Sequence, residues 1–426
     1  MGNLIGIVKI ITLIMMTVIN LILLPYSIYY FVTGLYTFFN KKHIIKKYEP
    51  KYKIAVIIAA RNEEFVIGDL IGSIKKQKYP KELFDVFVVP NNCTDNTEKA
   101  ALEAGANIIE CKQIVSSKGE VLKYTFEYMA KNHSEYEAYA IFDADNLAHP
   151  NFLARMNDAL CSGYKVAQGY RDSKNPSDTW ISSCYSLYYW TQNYFFNKAR
   201  MNLGWSSSIN GTGFLIKKEV IDTYGFNTVT LTEDIEFAAL CCLNDVKIAF
   251  VNDAITYDEQ PLTFAESWKQ RKRWSIGTIQ CCKRYSKKLF KHKNMTGFDM
   301  GLFFLAPFIQ ILTALYIIIL LINTSLGISQ NFDIHIFRIT NLITSNLFVF
   351  GVLGYMVSIG IGLFVVIVQR KKLKKAIKGI FTLIIFMASW IPINIIAIFS
   401  DKFEWEPIKH KVKVNINDII EIDSKD

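Results

Sequence analysis

With 426 residues, of which 51% are hydrophobic, this chain is long enough for one large folded domain together with membrane-spanning segments. Lysines beside long hydrophobic runs, which are expected to face anionic lipid, explain the net charge of +10. No basic stripe marks the polar middle of the chain, so the composition argues against a nucleic-acid partner.

The first predicted element is a membrane-spanning helix in the segment 1–40. Residues 10–39 are uncharged, and this run exceeds the about 20 residues that cross a bilayer. It is too long for a signal peptide, and Pro25 is the expected position of a kink. Several lysines follow between Lys41 and Lys53. Because positive residues stay on the cytoplasmic side, the next domain is predicted to be cytosolic.

Strand and helix patterns alternate through the first half of the next domain, 50–260. The predicted strands are 54–58, 86–89, 107–111 and 139–142, and the predicted helices end near Lys76 or cover 94–104 and 118–132. This order is typical of an α/β fold with a doubly wound sheet, whose site lies at the carboxyl ends of the strands.

Cysteine usage agrees with a cytosolic domain. All eight cysteines fall between Cys93 and Cys282, and none forms a Cys-x-x-Cys pair. No histidine cluster completes a zinc site. We therefore predict free thiols in a reducing compartment.

The C-terminal third returns to the membrane within the segment 300–400. Candidate spans are 302–322, 347–368 and 377–399, and the basic run 370–375 marks a cytoplasmic loop. The loop 324–343 is predicted to face outward. Four full crossings would place both ends outside, whereas the lysines of the tail, 401–426, favour the inside. Because Trp390-Ile391-Pro392 interrupts the last run, that run either crosses, re-enters or lies in the interface.

Polar residues follow several of the predicted strands. Ala59, Arg61, Asn62 and Glu63 follow the first strand, Asn91 follows the second, and Lys118 opens a helix. Such turns offer backbone and side-chain donors to a nucleotide. Alternatively, the turns are ordinary polar loops and Lys118 is a solvated side chain.

Acidic residues occur in two later motifs. Asp143 and Asp145 end a strand and are predicted to face the same side, where hard oxygen ligands suit Mg²⁺ or Mn²⁺. Glu233 and Asp234 precede a helical run. These two residues either have a role in the site or form an acidic first turn that the helix dipole stabilises, and the second interpretation suits Glu233 in particular. Between the motifs, Gly211 and Thr212 lie in a small-residue turn that would let a ligand approach the backbone.

The segment 261–292 is predicted to be an amphipathic helix at the membrane interface. Thr263 and Glu266 fit a capping box, and the helix carries the pentapeptide Gln270-Arg271-Lys272-Arg273-Trp274. Gln270 and Arg273 lie three residues apart and therefore on one side of the helix. A plain basic amphipathic helix is the alternative.

The order of these motifs resembles that of the processive family-2 glycosyltransferases, which make cellulose, hyaluronan, chitin oligomers and poly-N-acetylglucosamine. The resemblance covers about residues 50–290 in detail. It implies a GT-A-type mixed sheet, a nucleotide-sugar donor (a UDP-hexose or UDP-N-acetylhexosamine), a growing β-linked glycan as acceptor and a multi-pass place in the cell membrane. Asn91 stands where the family usually has an aspartate, so the resemblance specifies uracil less firmly.

The resemblance also assigns roles. Asp234 matches the catalytic base, and Asp143 and Asp145 match the metal site. The donor-binding positions are Ala59, Arg61, Asn62, Glu63, Asn91, Lys118, Asp143, Gln270 and Arg273. The acceptor-binding positions are Gly211, Thr212, Glu233 and Trp274.

Three readings remain open at the level of function. The first is polysaccharide synthesis, and an accessory subunit for it is left open. The second is a non-processive transferase that acts on a lipid acceptor such as polyprenyl phosphate or diacylglycerol. The third, a transporter or receptor with an inactive domain, predicts that the acidic site residues are missing, and they are present.

Overall fold

The computed structural model describes residues 2–39, 45–113, 115–325, 347–400, 412 and 414–419. The helices are α1 (Gly2–Leu35), α2 (Ile67–Lys75), α3 (Thr97–Glu103), α4 (Lys118–Asn132), α5 (Phe152–Cys161), α6 (Trp180–Thr191), α7 (Ala199–Leu203), α8 (Lys218–Tyr224), α9 (Glu233–Leu243), α10 (Phe264–Lys291), α11 (Met295–Phe304), α12 (Ala306–Ser325), α13 (Leu347–Val368), α14 (Leu373–Ala388) and α15 (Trp390–Ile398). The strands are β1 (Ile54–Ala60), β2 (Phe84–Pro90), β3 (Asn107–Ile108), β4 (Ala138–Asp143), β5 (Leu147–Ala148), β6 (Val166–Ser173), β7 (Phe214–Lys217) and β8 (Ile248–Asp258).

The strands form one mixed sheet in the order β3-β2-β1-β4-β7-β6-β8-β5. The first four strands in this order are parallel. β7 then runs antiparallel to both β4 and β6, whereas β6 and β8 are parallel. This arrangement confirms the predicted mixed α/β sheet.

The sheet separates two hydrophobic cores. Ile54, Val56 and Ile58 of β1 belong to one core, and Ala55 and Ile57 belong to the other. All five side chains are fully buried. Successive residues of a strand point to opposite faces, so an uninterrupted apolar run is what a strand covered on both sides requires.

Several predicted boundaries were wrong for local reasons. Helix α3 begins at Thr97 rather than at residue 94, and the Asp95 carboxylate accepts the Thr97 amide at 3.1 Å in the turn before the helix. Strand β3 contains two residues instead of five. The predicted span 302–322 is broken at Leu305, where α11 ends. Pro307 lacks the N–H that would continue the hydrogen bonds of α11, and it fits the first turn of α12.

Helices suited to a membrane flank the sheet domain. Within the described ranges, four segments are long and apolar enough to cross a bilayer: Gly6–Phe38, Ala306–Asn323, Gly351–Val368 and Leu373–Ile398. The last of these is interrupted at Ser389, between α14 and α15. The predictions for Lys41 and Lys42, for most of the loop 324–343, and for Lys402, Lys409, Lys411 and Lys413 lie outside the described residues.

Candidate active site

A cleft of about 570 Å³ lies where the sheet domain and α10 meet the helices α11, α12, α14 and α15, which are called the membrane-side helices. It receives the carboxyl ends of β1, β2 and β4, as the strand order predicts. Most of the residues singled out in the sequence line it together. They are Ala59, Arg61, Glu63, Asn91, Lys118, Asp143, Asp145, Gly211, Glu233, Asp234, Gln270, Arg273 and Trp274.

Asn62 and Thr212 contact the residues that support the cleft. The Asn62 side chain accepts the Thr94 amide at 2.8 Å, and Asn62 has a positive φ of 60°. It therefore joins the turns that follow β1 and β2. Thr212 is fully buried, and its hydroxyl accepts the Asp143 amide at 3.0 Å while donating to Asn146. Thr212 thus fixes the end of β4, on which Asp143 is carried.

Lys118 links three acidic or carbonyl groups at the first turn of α4. Its ammonium donates to Asp143 Oδ1 and, at 2.6 Å, to the Gly211 carbonyl, and it lies 3.8 Å from Glu233 Oε1. Burial alone would lower the pKa of Lys118, but the Asp143 and Glu233 carboxylates raise it above the ordinary value. Lys118 is therefore a fixed positive charge inside the cleft.

Asp234 lies in the first turn of α9, directly beside the small-residue turn. A Cβ built on Gly211 would approach Asp234 Oδ2 to 3.2 Å, and Gly211 has a φ of +78°. Removal from water, followed by the neighbouring Glu233 carboxylate, raises the pKa of Asp234 to about 7, although Lys118 and Arg273 oppose the shift. A carboxylate with such a pKa accepts protons near neutrality.

The loop 229–232, which leads into the first turn of α9 and so positions Asp234, is held from two sides. The buried Glu236 carboxylate accepts the Val229 and Thr230 amides at 2.7 Å each, and it accepts the Tyr285 hydroxyl of α10. Thr232 packs on Gly277 of α10 so closely that a Cβ there would lie 2.4 Å from its hydroxyl oxygen. The position of Asp234 thus depends on the docking of α10.

Helix α10 presents three residues of the pentapeptide to the cleft. The predicted capping box is confirmed, since Thr263 Oγ1 accepts the Glu266 amide and Glu266 accepts the Thr263 amide. Gln270, Arg273 and Trp274 all line the cleft. The Trp274 ring stacks on Trp390 of α15 at a centroid distance of 6.3 Å and an interplanar angle of 23°.

Arg171, which no sequence motif predicted, also lines the cleft. Its guanidinium forms two hydrogen bonds to Asp258 Oδ2, at 2.9 and 2.6 Å, and donates to the Asn210 carbonyl at 2.8 Å. It also lies over the Tyr189 ring at 4.1 Å. Charged residues near the ends of the apolar strands β6 and β8 were the available signal.

Polar residues extend the cleft toward the membrane-side helices. Ser275 of α10 donates to Asn394 of α15 at 2.7 Å, and the Asn394 amide donates to Gln310 of α12 at 2.5 Å. All three residues line the cleft. Polar groups in apolar helices are costly in lipid and commonly mark a functional surface.

A divalent metal fits this site only together with another ligand. Asp143 and Asp145 both line the cleft, yet the described part of the chain contains no group of three His, Cys, Asp or Glu side chains suited to hold an ion. Two carboxylates leave most coordination positions of Mg²⁺ or Mn²⁺ to other oxygens. A diphosphate would supply them.

Known proteins resemble this chain. The family described as glycosyltransferase like family 2 matches residues 50–277. A probable glycosyltransferase, YdaM, from Bacillus subtilis is 23% identical over 67% of this chain and 68% of its own. A beta-monoglucosyldiacylglycerol synthase from Nostoc sp. is 23% identical over 60% and 56%. A poly-beta-1,6-N-acetyl-D-glucosamine synthase from Staphylococcus epidermidis is 24% identical over 63% and 67%. The chain thus spans about half to two thirds of these relatives.

One solved structure shares the fold over nearly the whole chain. The mannosyltransferase PcManGT from Pyrobaculum calidifontis, in complex with GDP-Man and Mn²⁺, superposes with a TM-score of 0.60 at 16% identity. The match covers 94% of this chain and 100% of that protein. It confirms the GT-A-type sheet together with the flanking helices.

Proposed function

Since this chain belongs to glycosyltransferase family 2, we propose that it transfers a sugar from a nucleotide-sugar donor to a growing β-linked polysaccharide, with inversion at the anomeric carbon. One observation carries the proposal: Asp143, Asp145, Asp234 and Trp274, which come from three distant parts of the chain, line one cleft. That cleft continues between membrane-side helices, where a polymer would leave.

The donor occupies the sheet side of the cleft in this proposal. Ala59, Arg61, Glu63 and Asn91 line that side and would hold the nucleotide, with Asn62 supporting their turns. The Asn91 carbonyl oxygen accepts a base N–H without a charge. A UDP-hexose or a UDP-N-acetylhexosamine is the proposed donor.

The leaving diphosphate lies between two sources of positive charge. Asp143 and Asp145 would hold Mg²⁺ or Mn²⁺, which neutralises charge on the departing diphosphate. Lys118 and Arg273 contribute fixed cations, and Gln270 offers an amide donor beside them. Guanidinium geometry suits phosphate oxygens.

Asp234 is the proposed general base. It would remove the proton from the attacking acceptor hydroxyl, and its raised pKa suits that task near neutral pH. Gly211 leaves room for the acceptor beside the carboxylate, because a side chain there would crowd Asp234 Oδ2. Trp274 offers an aromatic platform to the terminal sugar, Glu233 lines the same cleft next to Asp234, and Thr212 supports the site through Asp143.

The proposed setting is the cell membrane, with the sheet domain in the cytosol where nucleotide sugars are made. Lys371 of the basic run 370–375 donates to Asp172 of the sheet domain at 2.5 Å, so this run and the domain share one side. Positive residues favour the cytoplasmic side. All eight cysteines are free, as predicted.

A second candidate function is transfer to a lipid acceptor. The relative from Nostoc is named for a diacylglycerol product, and the cleft is partly walled by Phe303, Ala306 and Pro307 next to an apolar helix. Such a wall would also suit a lipid tail. Product size separates the two candidates.

Purified protein in nanodiscs, supplied with radiolabelled UDP-sugars and a divalent cation, tests the proposal. Polysaccharide synthesis predicts label in polymer that remains in the aqueous phase after solvent extraction. Label that moves quantitatively into the organic phase would instead support the lipid acceptor.

A further inference from the structure

The apolar segment 373–398, made of α14 and α15, is long enough for a single crossing. A straight helix of this length would extend about 39 Å and carry its two ends to opposite membrane faces. The contacts of each end show whether it does so.

The start of the segment is anchored on the sheet domain. Lys371, two residues before α14, donates to the buried Asp172, and Gln369 donates to the Trp190 carbonyl at 2.8 Å. One turn into α14, Lys378 donates to the Ser177 and Asp178 carbonyls at 2.9 Å each. The segment therefore begins against the catalytic domain.

The middle of the segment stays on the same domain. Gly379 packs directly on α6, where a Cβ would lie 2.7 Å from the Ser183 carbonyl carbon. At the break, the fully buried Arg271 of α10 donates to the Phe386 carbonyl at 3.0 Å and to the Ser389 hydroxyl at 2.7 Å. A guanidinium at a helix C-terminus satisfies carbonyls that the interrupted helix leaves open.

The end of the segment returns to the active-site loop. Asn394 accepts the Ser275 hydroxyl of α10, and Ala397 packs with Ile276 and Ile279 of the same helix. Ile398 joins this cluster together with Leu231, the residue before the loop's Thr232. Both ends of the segment thus contact the catalytic domain.

Residues beyond the segment give independent support. Ile416 and Ile419 are buried against Leu147 and Tyr257 at the β5–β8 edge of the sheet. The Lys76 ammonium donates to the side-chain oxygens of Asn415 and Asn417, at 3.3 and 3.2 Å. The chain therefore lies on the catalytic side after the segment as well as before it.

We propose that the segment 373–398 does not cross the bilayer but lies along the catalytic domain at the membrane interface. Its outer face meets lipid, since the apolar side chains of Ile377, Phe381, Ile385 and Ile395 are exposed. Among the described residues, the helices that cross are then α1, α12 and α13, and residues 412 and 414–419 share the side of the catalytic domain.

The inner face of the segment contributes to the cleft, through Met387, Trp390 and Asn394. Trp390 extends the platform begun by Trp274. Resting on the proposed function, this assignment makes Trp390 an acceptor-binding residue that holds the part of the acceptor next to its terminal sugar.

Side-specific proteolysis tests the topology without any need for activity. Epitope tags are added before Met1 and after Asp426, each separated from the chain by a protease site. The tagged protein is compared in sealed inside-out and right-side-out vesicles. The proposal expects cleavage of the C-terminal tag and of the catalytic domain in the same vesicle preparation, and of the N-terminal tag in the other. Cleavage of the C-terminal tag in the preparation that protects the catalytic domain would overturn it.

A pair of variants on the two faces tests the acceptor role. Trp390→Leu is expected to lower sugar transfer at least about tenfold while leaving hydrolysis of the donor by water nearly unchanged. The matched control is Phe381→Leu on the lipid face, which is expected to change neither rate. Equal losses of transfer and hydrolysis in Trp390→Leu would overturn the assignment, whereas absence of turnover in the wild type would contradict the proposed function and leave the vesicle result standing.

Discussion

At the scale of single residues, the central feature is the unequal treatment of carboxylates in one cleft. Asp143 forms an ion pair with the Lys118 ammonium. Asp234 is instead removed from water beside Glu233, which raises its pKa to about 7. Carboxylates whose surroundings differ in this way suit different tasks, charge binding for one and proton transfer for the other.

The pH dependence of the rate follows from the raised pKa of Asp234. A base must be ionised to act, so kcat/KM is expected to rise tenfold per pH unit below about 7 and to level off above it. Nucleotide release at limiting donor measures this profile. Asp258→Asn is the control, because burial raises the pKa of Asp258 to about 6. Loss of the acidic limb in that variant would assign the limb to Asp258 and contradict the role of Asp234.

The sequence could predict the residues of the site better than their support. Asp143, Asp234 and Trp274 stand in short motifs whose order is informative. Arg171 was missed because one arginine after an apolar strand has no partner that spacing reveals. Its partner, Asp258, lies 87 residues away on β8 and becomes a neighbour only through the sheet.

At the scale of elements, α10 joins the proposed acceptor platform to the proposed base. It presents Trp274 and, one turn later, Gly277, on which Thr232 packs. The periodicity of the sequence predicts an amphipathic helix here, and the capping box predicts its start. What the sequence did not reveal is that Gly277 serves close contact between two elements.

Gly277→Ala is expected to lower kcat about 100-fold, the effect of a displacement of about 1 Å at reacting groups. An added Cβ would lie 2.4 Å from Thr232 Oγ1, so the loop that carries Asp234 must move. Steady-state nucleotide release measures the effect. The matched control is Gly72→Ala in α2, where a Cβ meets no atom within 4 Å. That variant should keep its activity, and a wild-type rate in Gly277→Ala would refute the coupling.

The later strands could not be predicted from sequence periodicity. β4 ends the predicted alternation of strands and helices, and β5 to β8 then enter the sheet in mixed directions. β7 has four residues and β5 has two, so neither is long enough to show a period. Their places are decided by tertiary pairing.

At the scale of the whole molecule, a buried ion pair joins the catalytic domain to the helices on its membrane side. Arg200 of α7 and Asp299 of α11 are almost fully buried, and their closest atoms lie 2.8 Å apart. The Tyr29 hydroxyl of α1 donates to the same carboxylate at 2.7 Å. Three elements that are distant in sequence therefore meet at one group.

Breaking this ion pair is expected to be more harmful than replacing it. Arg200→Met leaves the Asp299 charge buried and should cost about 3–5 kcal/mol of unfolding free energy. The double variant Arg200→Met/Asp299→Leu removes both charges and should recover part of that loss. Thermal unfolding in detergent compares them. A double variant less stable than Arg200→Met would contradict this view.

The sequence could not decide whether the segment 373–398 crosses the bilayer, for a physical reason. Hydropathy reports that the segment 373–398 is apolar, but a helix against lipid in the interface and a helix across the bilayer need similar composition. Only the contacts of its two ends separate the cases.

Nucleotide release by Asp234→Asn shows whether this carboxylate is the general base. Wild type, Asp234→Asn and the surface control Asp253→Asn are compared in membranes against a panel of nucleotide sugars with Mg²⁺ or Mn²⁺. Asp234→Asn is expected to lose about 10²–10⁴-fold in rate while donor binding persists, and Asp253→Asn is expected to match the wild type. Equal nucleotide release by Asp234→Asn and the wild type would contradict this role of Asp234.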